Sequence, residues 1–288
     1  MQKVLLLLTT VLIACSLSFA QDNKDDKKST QPAKLTAEEI VAKHLASIGT
    51  PADIAAVKSR VLVGQGRLNM KSGGIGALSG PAQFASAGNM VLMAMIFNAN
   101  NYPYEKMAFN GKDLTVGFPN GQKTDLANFL RSRNPIVKEG LFGGVLSAAW
   151  PLLDVKGKKV KLDAAGITKF GDKNYYKLKY TSGVGDLSVS LYFDSENFHH
   201  VLTEYKYSIQ STMTGISTDS SAQKPQYNTL TEQFGDFKTA GKLTLPFSYK
   251  INVTNTEEDS TVISTDWSMN FANVYYDEPL DAAVFKVS

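Results

Sequence analysis

The second half of the chain alternates apolar and polar residues over six stretches bounded by Gly, Pro, Asn or Asp. Such alternation is typical of strands in a sheet that has one apolar face and one face in water. The six stretches are 175–180, 187–193, 201–209, 229–237, 247–254 and 262–276. Within the second of them, the pattern predicts that Leu187, Val189, Leu191 and Phe193 face the interior of the sheet.

The first half begins with a predicted helix and continues into strands. Residues 36–39 (TAEE) form a capping box, in which a threonine hydroxyl and a glutamate satisfy the first free N–H groups of a helix. Apolar residues then recur at helical spacing until Gly49, and 52–57 predicts a second short helical turn. Further on, Asn110-Gly111 between two apolar runs predicts a hairpin, and 125–131 a short helix.

Two strongly apolar segments each allow two interpretations. Residues 89–97 (NMVLMAMIF) are either a core strand or, because methionine is flexible, the wall of a cavity for irregular apolar ligands. Residues 140–153 carry no charge, and their length and their Ala and Leu content favour a helix over a strand. This helix is either core or a lid over an apolar pocket, to which its glycines would give mobility.

The first twenty residues have the features of a secretory signal peptide. Lys3 precedes an apolar run, 4–14, and Ser18-Phe19-Ala20 supplies the small residues before a cleavage site. A second interpretation is open, because 12–15 (LIAC) has the form of a lipobox that would make Cys15 a lipidated N-terminus. Either alternative predicts export from the cytoplasm.

Beyond the signal peptide we expect a disordered linker over 21–34 and a single domain over 35–288.

The chain has a net charge of +3, and loss of Lys3 leaves about +2, which gives no indication of nucleic-acid binding. Cys15 is the only cysteine, so a chain cleaved after it has no disulfide framework, thiolate nucleophile or cysteine metal site.

The chain shows no catalytic motif and no metal-binding motif. It contains no Gly-x-Ser-x-Gly elbow, no P-loop and no His-Glu-x-x-His sequence. His44 lies on the first predicted helix, and His199 and His200 are adjacent in a predicted hairpin turn, where neighbouring side chains point to opposite faces. We therefore predict no enzyme activity, no catalytic residue, no metal site and no cofactor.

Several stretches together resemble a known family. They are 37–49 (AEEIVAKHLASIG), 54–66 (IAAVKSRVLVGQG), 175–180 (YYKLKY), 191–194 (LYFD), 234–238 (FGDFK) and 241–246 (GKLTLP). In these patterns of helix, strand and turn the chain resembles the LolA/LolB-like outer-membrane lipoprotein-sorting proteins. The resemblance covers most of residues 37–288, and the Gly- and Ala-rich segment 70–101 is the part that does not match.

The resemblance implies an α+β fold in which an incomplete antiparallel β-barrel, a curved sheet, wraps round a few helices and encloses an apolar cavity. It also implies an exported, non-catalytic protein that carries a lipid or a lipoprotein acyl chain. Its place would be the periplasm or the outer membrane of a Gram-negative bacterium, with peripheral contact to that membrane. The alternative is a structural or protein-interaction module of the envelope whose barrel is filled by side chains. A periplasmic hydrolase is a third interpretation.

The apolar segments supply the expected ligand contacts. The predicted cargo-binding residues are Met93, Met95, Phe97, Leu141, Phe142, Leu146, Trp150 and Leu191.

Overall fold

The computed structural model describes residues 33–70, 76–183, 185–209, 226–256 and 261–287. The predicted signal peptide, including Cys15, and all but the last two residues of the predicted linker lie outside the described residues. Pro32–Ser288 forms one compact unit.

Helix α1 (Ala37–Ile48) begins at the predicted capping box. The Thr36 hydroxyl accepts a hydrogen bond from the Glu39 backbone N–H at 3.2 Å, and the Glu39 carboxylate accepts one from the Thr36 N–H at 2.8 Å. The helix ends at Gly49, and α2 (Pro51–Ala56) follows with Thr50 as its N-cap. Both helices predicted for this region are confirmed.

Twelve strands form one antiparallel sheet. The strands are β1 (Ser59–Met70), β2 (Ala77–Ala87), β3 (Met90–Ile96), β4 (Tyr104–Phe109), β5 (Leu114–Val116), β6 (Leu162–Phe170), β7 (Lys173–Thr181), β8 (Ser188–Asp194), β9 (His200–Ile209), β10 (Gln226–Ala240), β11 (Leu243–Thr256) and β12 (Val262–Tyr276). Their order in the sheet is β5-β4-β3-β2-β1-β12-β11-β10-β9-β8-β7-β6. All neighbours are consecutive in sequence except β1 and β12, which join the two halves.

The sheet is curved and unclosed, with β5 and β6 as its two edges. This confirms the coarse form of the predicted fold, an open antiparallel sheet with few helices. The strands predicted in the second half of the chain are present, and the hairpin predicted at Asn110-Gly111 joins β4 to β5. Most of the segment that did not match the family forms β2 and β3, apart from residues 71–75, which lie outside the described part.

The connection between β5 and β6 runs from one edge of the sheet to the other and covers its apolar face. It contains α3 (Asp125–Ser132), close to the helix predicted at 125–131, and α4 (Pro135–Lys138). The Phe142 ring lies 6.4 Å from that of Phe84 on β2 and 6.3 Å from that of Tyr249 on β11. One side chain of the connection thus contacts both halves of the sheet.

The prediction of a helix over residues 140–153 is wrong. This stretch forms turns and two short 3₁₀ helices, Gly144–Leu146 and Pro151–Asp154. Gly140, Gly143 and Gly144 adopt φ angles of +77°, +83° and +50°, in the left-handed region that an α-helix does not use. At Gly140, a Cβ atom would lie 2.2 Å from the carbonyl oxygen of Ala149, so the close turn itself requires glycine.

The alternation predicted for residues 187–193 is confirmed. Leu187, Val189, Leu191 and Phe193 all belong to the main hydrophobic core. Tyr192 lies on the opposite face, where its ring packs 5.4 Å from that of Phe170.

None of the helices in the described part of the chain combines the length and the apolar character that a membrane-spanning helix needs.

We predict that Leu191→Ala lowers the free energy of unfolding by about 2–5 kcal/mol, because it leaves a cavity in a side-chain-filled interior. Ser188→Ala, at an exposed position of the same strand, should change it by less than about 0.5 kcal/mol. Urea denaturation of both variants provides the measurement. Equal effects of the two substitutions would contradict the assignment of the inner face.

Candidate functional site

The eight predicted cargo-binding residues lie together in the interior of the curved sheet, and each is at most 4% exposed. They are Met93, Met95, Phe97, Leu141, Phe142, Leu146, Trp150 and Leu191. None of them lines either of two cavities that open beside α1. In this conformation they pack against protein, and their contact with a ligand stays a prediction.

A buried carboxylate holds residues 140–153 on the sheet. Glu232 of β10 accepts hydrogen bonds from the Gly143 backbone N–H at 2.7 Å and from the Tyr205 hydroxyl at 2.6 Å. The Tyr249 hydroxyl donates a third. Three donors from three parts of the fold therefore meet on one side chain that has no solvent exposure.

A second buried carboxylate, that of Glu105 on β4, fastens the start of the connection in the same manner. It accepts hydrogen bonds from the Thr124 hydroxyl at 2.8 Å, from the Trp267 indole N–H at 3.0 Å and from the Tyr102 hydroxyl. Thr124 is also the N-cap of α3. The contact therefore ties β4, β12 and α3 together.

Both carboxyl groups have unusual acidity. Burial raises the pKa of Glu105 and that of Glu232 to about 7, although the neighbouring hydrogen-bond donors act in the opposite direction. Neither carboxylate forms a salt bridge with a basic residue in the described part of the chain. Their complete burial keeps them from touching a substrate in this conformation, so they serve as structural anchors.

The indole of Trp150 is fixed between two histidines. It stacks on the His200 ring at a centroid distance of 4.9 Å and donates its N–H to His44 Nε2 at 3.4 Å. His44 Nδ1 in turn donates to the Phe198 carbonyl at 3.0 Å. Burial lowers the pKa of His44 to about 4 and that of His200 well below its usual value, so both are neutral at pH 7.

Two adjoining cavities follow α1 on the outside of this packed interior, and together we call them the α1 groove. The larger has a volume of about 890 Å³ and the smaller about 690 Å³. Both are lined by Ala42, Leu45 and Leu153, which therefore form their junction. Leu153 is also the last residue of the apolar segment 140–153.

The two cavities differ in charge. The larger one is apolar along α1 and α2, and among the described residues its only charged lining residues are Lys58 and Arg60. We call it the basic cavity. The smaller one, the mixed cavity, has both acidic and basic residues in its lining. These are Glu38, Asp154, Lys156, Lys161 and Asp163.

No group of three or more potential metal ligands occurs within the described ranges. The His199 ring stacks on the Phe237 ring at a centroid distance of 4.1 Å. The arrangement offers apolar surface and a cationic group, Arg60, in the wall of the larger cavity.

Sequence reasoning missed three buried charged residues, Arg60, Glu105 and Glu232. The signal was present in the strand period. Glu232 lies between Leu230 and Phe234 at spacings of two and therefore shares their inward face, as Glu105 shares that of Met107. A charged residue on an otherwise apolar face indicates a buried polar contact.

No protein-family model matches the chain, and no curated protein matches its sequence. Several solved structures are similar to it. A LolA superfamily protein from Nitrosomonas europaea has a TM-score of 0.46 and 14% identity, over 88% of this chain and 99% of that one. A DUF1329 family protein from Desulfovibrio piger has a TM-score of 0.43 and 10% identity, over 86% and 96%.

A Vibrio parahaemolyticus domain described as an outer membrane lipoprotein-sorting protein domain has a TM-score of 0.43 and 11% identity, over 86% and 94%. The superfamily that the sequence resembles is thus among the similar structures. At these identities and TM-scores, function has to be argued from the residues of this chain.

We predict that the free energy of unfolding of the wild-type protein, minus that of the Glu232→Gln variant, falls as the pH rises from 6 to 8. The folded-state pKa of Glu232, about 7, lies above the ordinary value of 4.5. Its contribution to stability is therefore complete below 4.5 and is lost as the pH rises through 7. The relative change should be about 1 kcal/mol.

Urea midpoints at pH 6, 7 and 8 provide this measurement. Buried neutral histidines change stability in the opposite direction over this range, and the comparison of variant with wild type removes their contribution. Glu278→Gln, at an exposed position, is the control and should show no relative change. A constant difference between Glu232→Gln and wild type across the pH range would contradict the raised pKa.

Proposed function

We propose that this protein is an exported, non-catalytic binding protein that holds an acyl chain or a lipid in the α1 groove. The observation that carries the proposal is the pair of adjoining cavities of about 890 and 690 Å³. Cavities of this size, lined mainly by apolar side chains with a few polar groups, are typical of small-molecule sites.

The shape of the groove suits a long apolar ligand. The lining along α1 and α2 includes Leu45, Ile54 and Val57, which are only partly buried and pack against the main core. The lining on the opposite side is Leu152 and Leu153, from the end of the connection. A flexible chain that lay across Leu45 and Leu153 would remove apolar surface from water, at roughly 25 cal/mol per Å².

The eight interior residues form a deeper contact surface in this proposal. A ligand reaches them only if residues 141–153 leave the sheet, which breaks the Gly143–Glu232 hydrogen bond and the stacking of Trp150 on His200. The groove then receives the chain in the closed conformation, and the interior takes it up when the segment opens.

A second candidate function is a structural or protein-interaction module of the cell envelope. The close packing of the interior favours it, because Trp150, Leu146 and Leu191 have no solvent exposure. In such a module the groove would receive a side chain of a partner protein, and no lipid would be recovered with the purified protein.

The sequence of residues 1–20 supports export to the periplasm or the outer membrane. Acyl chains, lipids or lipoproteins would be the partners there. We predict that the intact mass of the exported protein corresponds to a chain beginning at Gln21. A diacylated mass beginning at Cys15 would instead assign the protein as a lipoprotein.

We predict that Ala42→Trp weakens the binding of a fluorescent fatty acid by roughly tenfold or more, because the indole fills the junction of the two cavities. Ala42 is exposed, so the substitution should leave the melting temperature nearly unchanged. Fluorescence titration and a thermal melt of the same sample measure both effects.

The matched control is Ala52→Trp, at an exposed position of α2 that does not line the groove. It should bind the fatty acid as the wild type does. If Ala42→Trp and wild type bind equally well, the ligand does not occupy the groove. If the wild type binds no fatty acid, the module function is favoured.

A further inference from the structure

Arg60 is a buried cation at the wall of the basic cavity. Its side chain lies at the start of β1 and the residue is 1% exposed. One guanidinium nitrogen, Nη1, donates to the Val145 carbonyl oxygen, whereas Nε is buried and has no hydrogen-bond partner. Arginine is rarely buried to this degree without a carboxylate to pair with.

The described acidic residues do not supply that carboxylate. Asp277 is the acidic residue whose charge acts on Arg60. It is itself exposed, and it accepts hydrogen bonds from the backbone N–H groups of Lys58 at 2.7 Å and Ser59 at 3.2 Å. Burial lowers the pKa of Arg60 to about 10, which leaves the group protonated at neutral pH. The cation therefore keeps one unsatisfied donor in an apolar surrounding, which is unfavourable unless an acceptor arrives.

The lining of the basic cavity matches an anionic ligand group. In the part of the chain that the structure describes, Lys58 and Arg60 are its only charged lining residues, and no acidic residue lines it. Lys58 lies at the exposed rim, where its ammonium group donates to the Ala55 carbonyl at 2.5 Å. A negatively charged group that entered the cavity would thus meet cations at both the rim and the wall.

We infer that the groove binds amphiphiles with a carboxylate head, such as free fatty acids, and that Arg60 holds the carboxylate. This inference rests on the proposed binding of acyl chains and specifies the chemical class of the ligand. A guanidinium offers parallel N–H groups that match the two oxygens of a carboxylate. The unpaired Nε is itself buried, so a carboxylate in the cavity reaches it when the Arg60 side chain turns towards the cavity. The hydrocarbon tail then lies towards Leu45 and Leu153 and on into the mixed cavity.

The experiment compares laurate with methyl laurate, which has the same tail and no charge. Each compound is titrated as a competitor of the neutral fluorescent probe N-phenyl-1-naphthylamine on the wild-type protein. We expect laurate to bind roughly tenfold or more tightly than the ester, the size expected of charge-assisted hydrogen bonds. In Arg60→Met, the ratio of the two affinities should fall to about one, because the variant loses the group that distinguishes the acid from the ester; loss of the Arg60–Val145 hydrogen bond acts on both ligands alike.

Two further variants keep the test decisive. Lys58→Met removes the exposed cation and should retain most of the preference for laurate, since exposed charges contribute little. Arg60→Lys keeps the charge and should retain a reduced preference, which protects the test if Arg60→Met fails to fold in a thermal melt.

The outcomes separate this inference from the proposed function. Equal affinities of laurate and methyl laurate for the wild type, or an unchanged preference in Arg60→Met, would overturn the role of Arg60 and leave acyl-chain binding intact. Binding of neither compound would overturn the proposed function itself. Tighter binding of lysophosphatidic acid than of laurate would show that the site prefers a phosphate head group, and would overturn the assignment of a carboxylate.

Discussion

The fold depends on one topological constraint, the connection between strands at opposite edges of the sheet. Strands β1–β5 proceed to one edge, and β6–β12 return from the other to pair with β1. The chain between β5 and β6 must therefore cross a face of the sheet, and the apolar face buries it. The helices and turns of residues 117–161 fill the curved sheet for this reason.

Polar contacts fix where this connection lies. Glu232 binds the Gly143 N–H, Glu105 binds the Thr124 hydroxyl, and Arg60 binds the Val145 carbonyl. Apolar packing alone is not directional, whereas a buried hydrogen bond to a charged group allows few alternative positions. With the connection held in place, Leu153 faces α1 across the groove, and the basic cavity keeps Arg60 in its wall.

The sequence allowed the sheet to be predicted more completely than the candidate site. Alternation predicted the strands because one face is apolar, and the capping box predicted α1. The prediction of a helix over 140–153 failed because the composition of this segment favours a helix. The positive φ angles of Gly143 and Gly144, which exclude that helix, are evident only from the folded structure. The groove was also beyond prediction, since it joins Leu45 to Leu153, which are distant in sequence. Arg60 and Glu232 were predictable in principle, because each lies on an apolar strand face.

The proposed function requires that the groove beside α1 holds an acyl chain. Mass spectrometry of lipids extracted from protein purified without detergent tests it most directly. We expect molecules with a long acyl chain and a carboxylate head to be released in stoichiometric amounts. A protein that is folded, carries no lipid and takes none up from a lipid extract would contradict it.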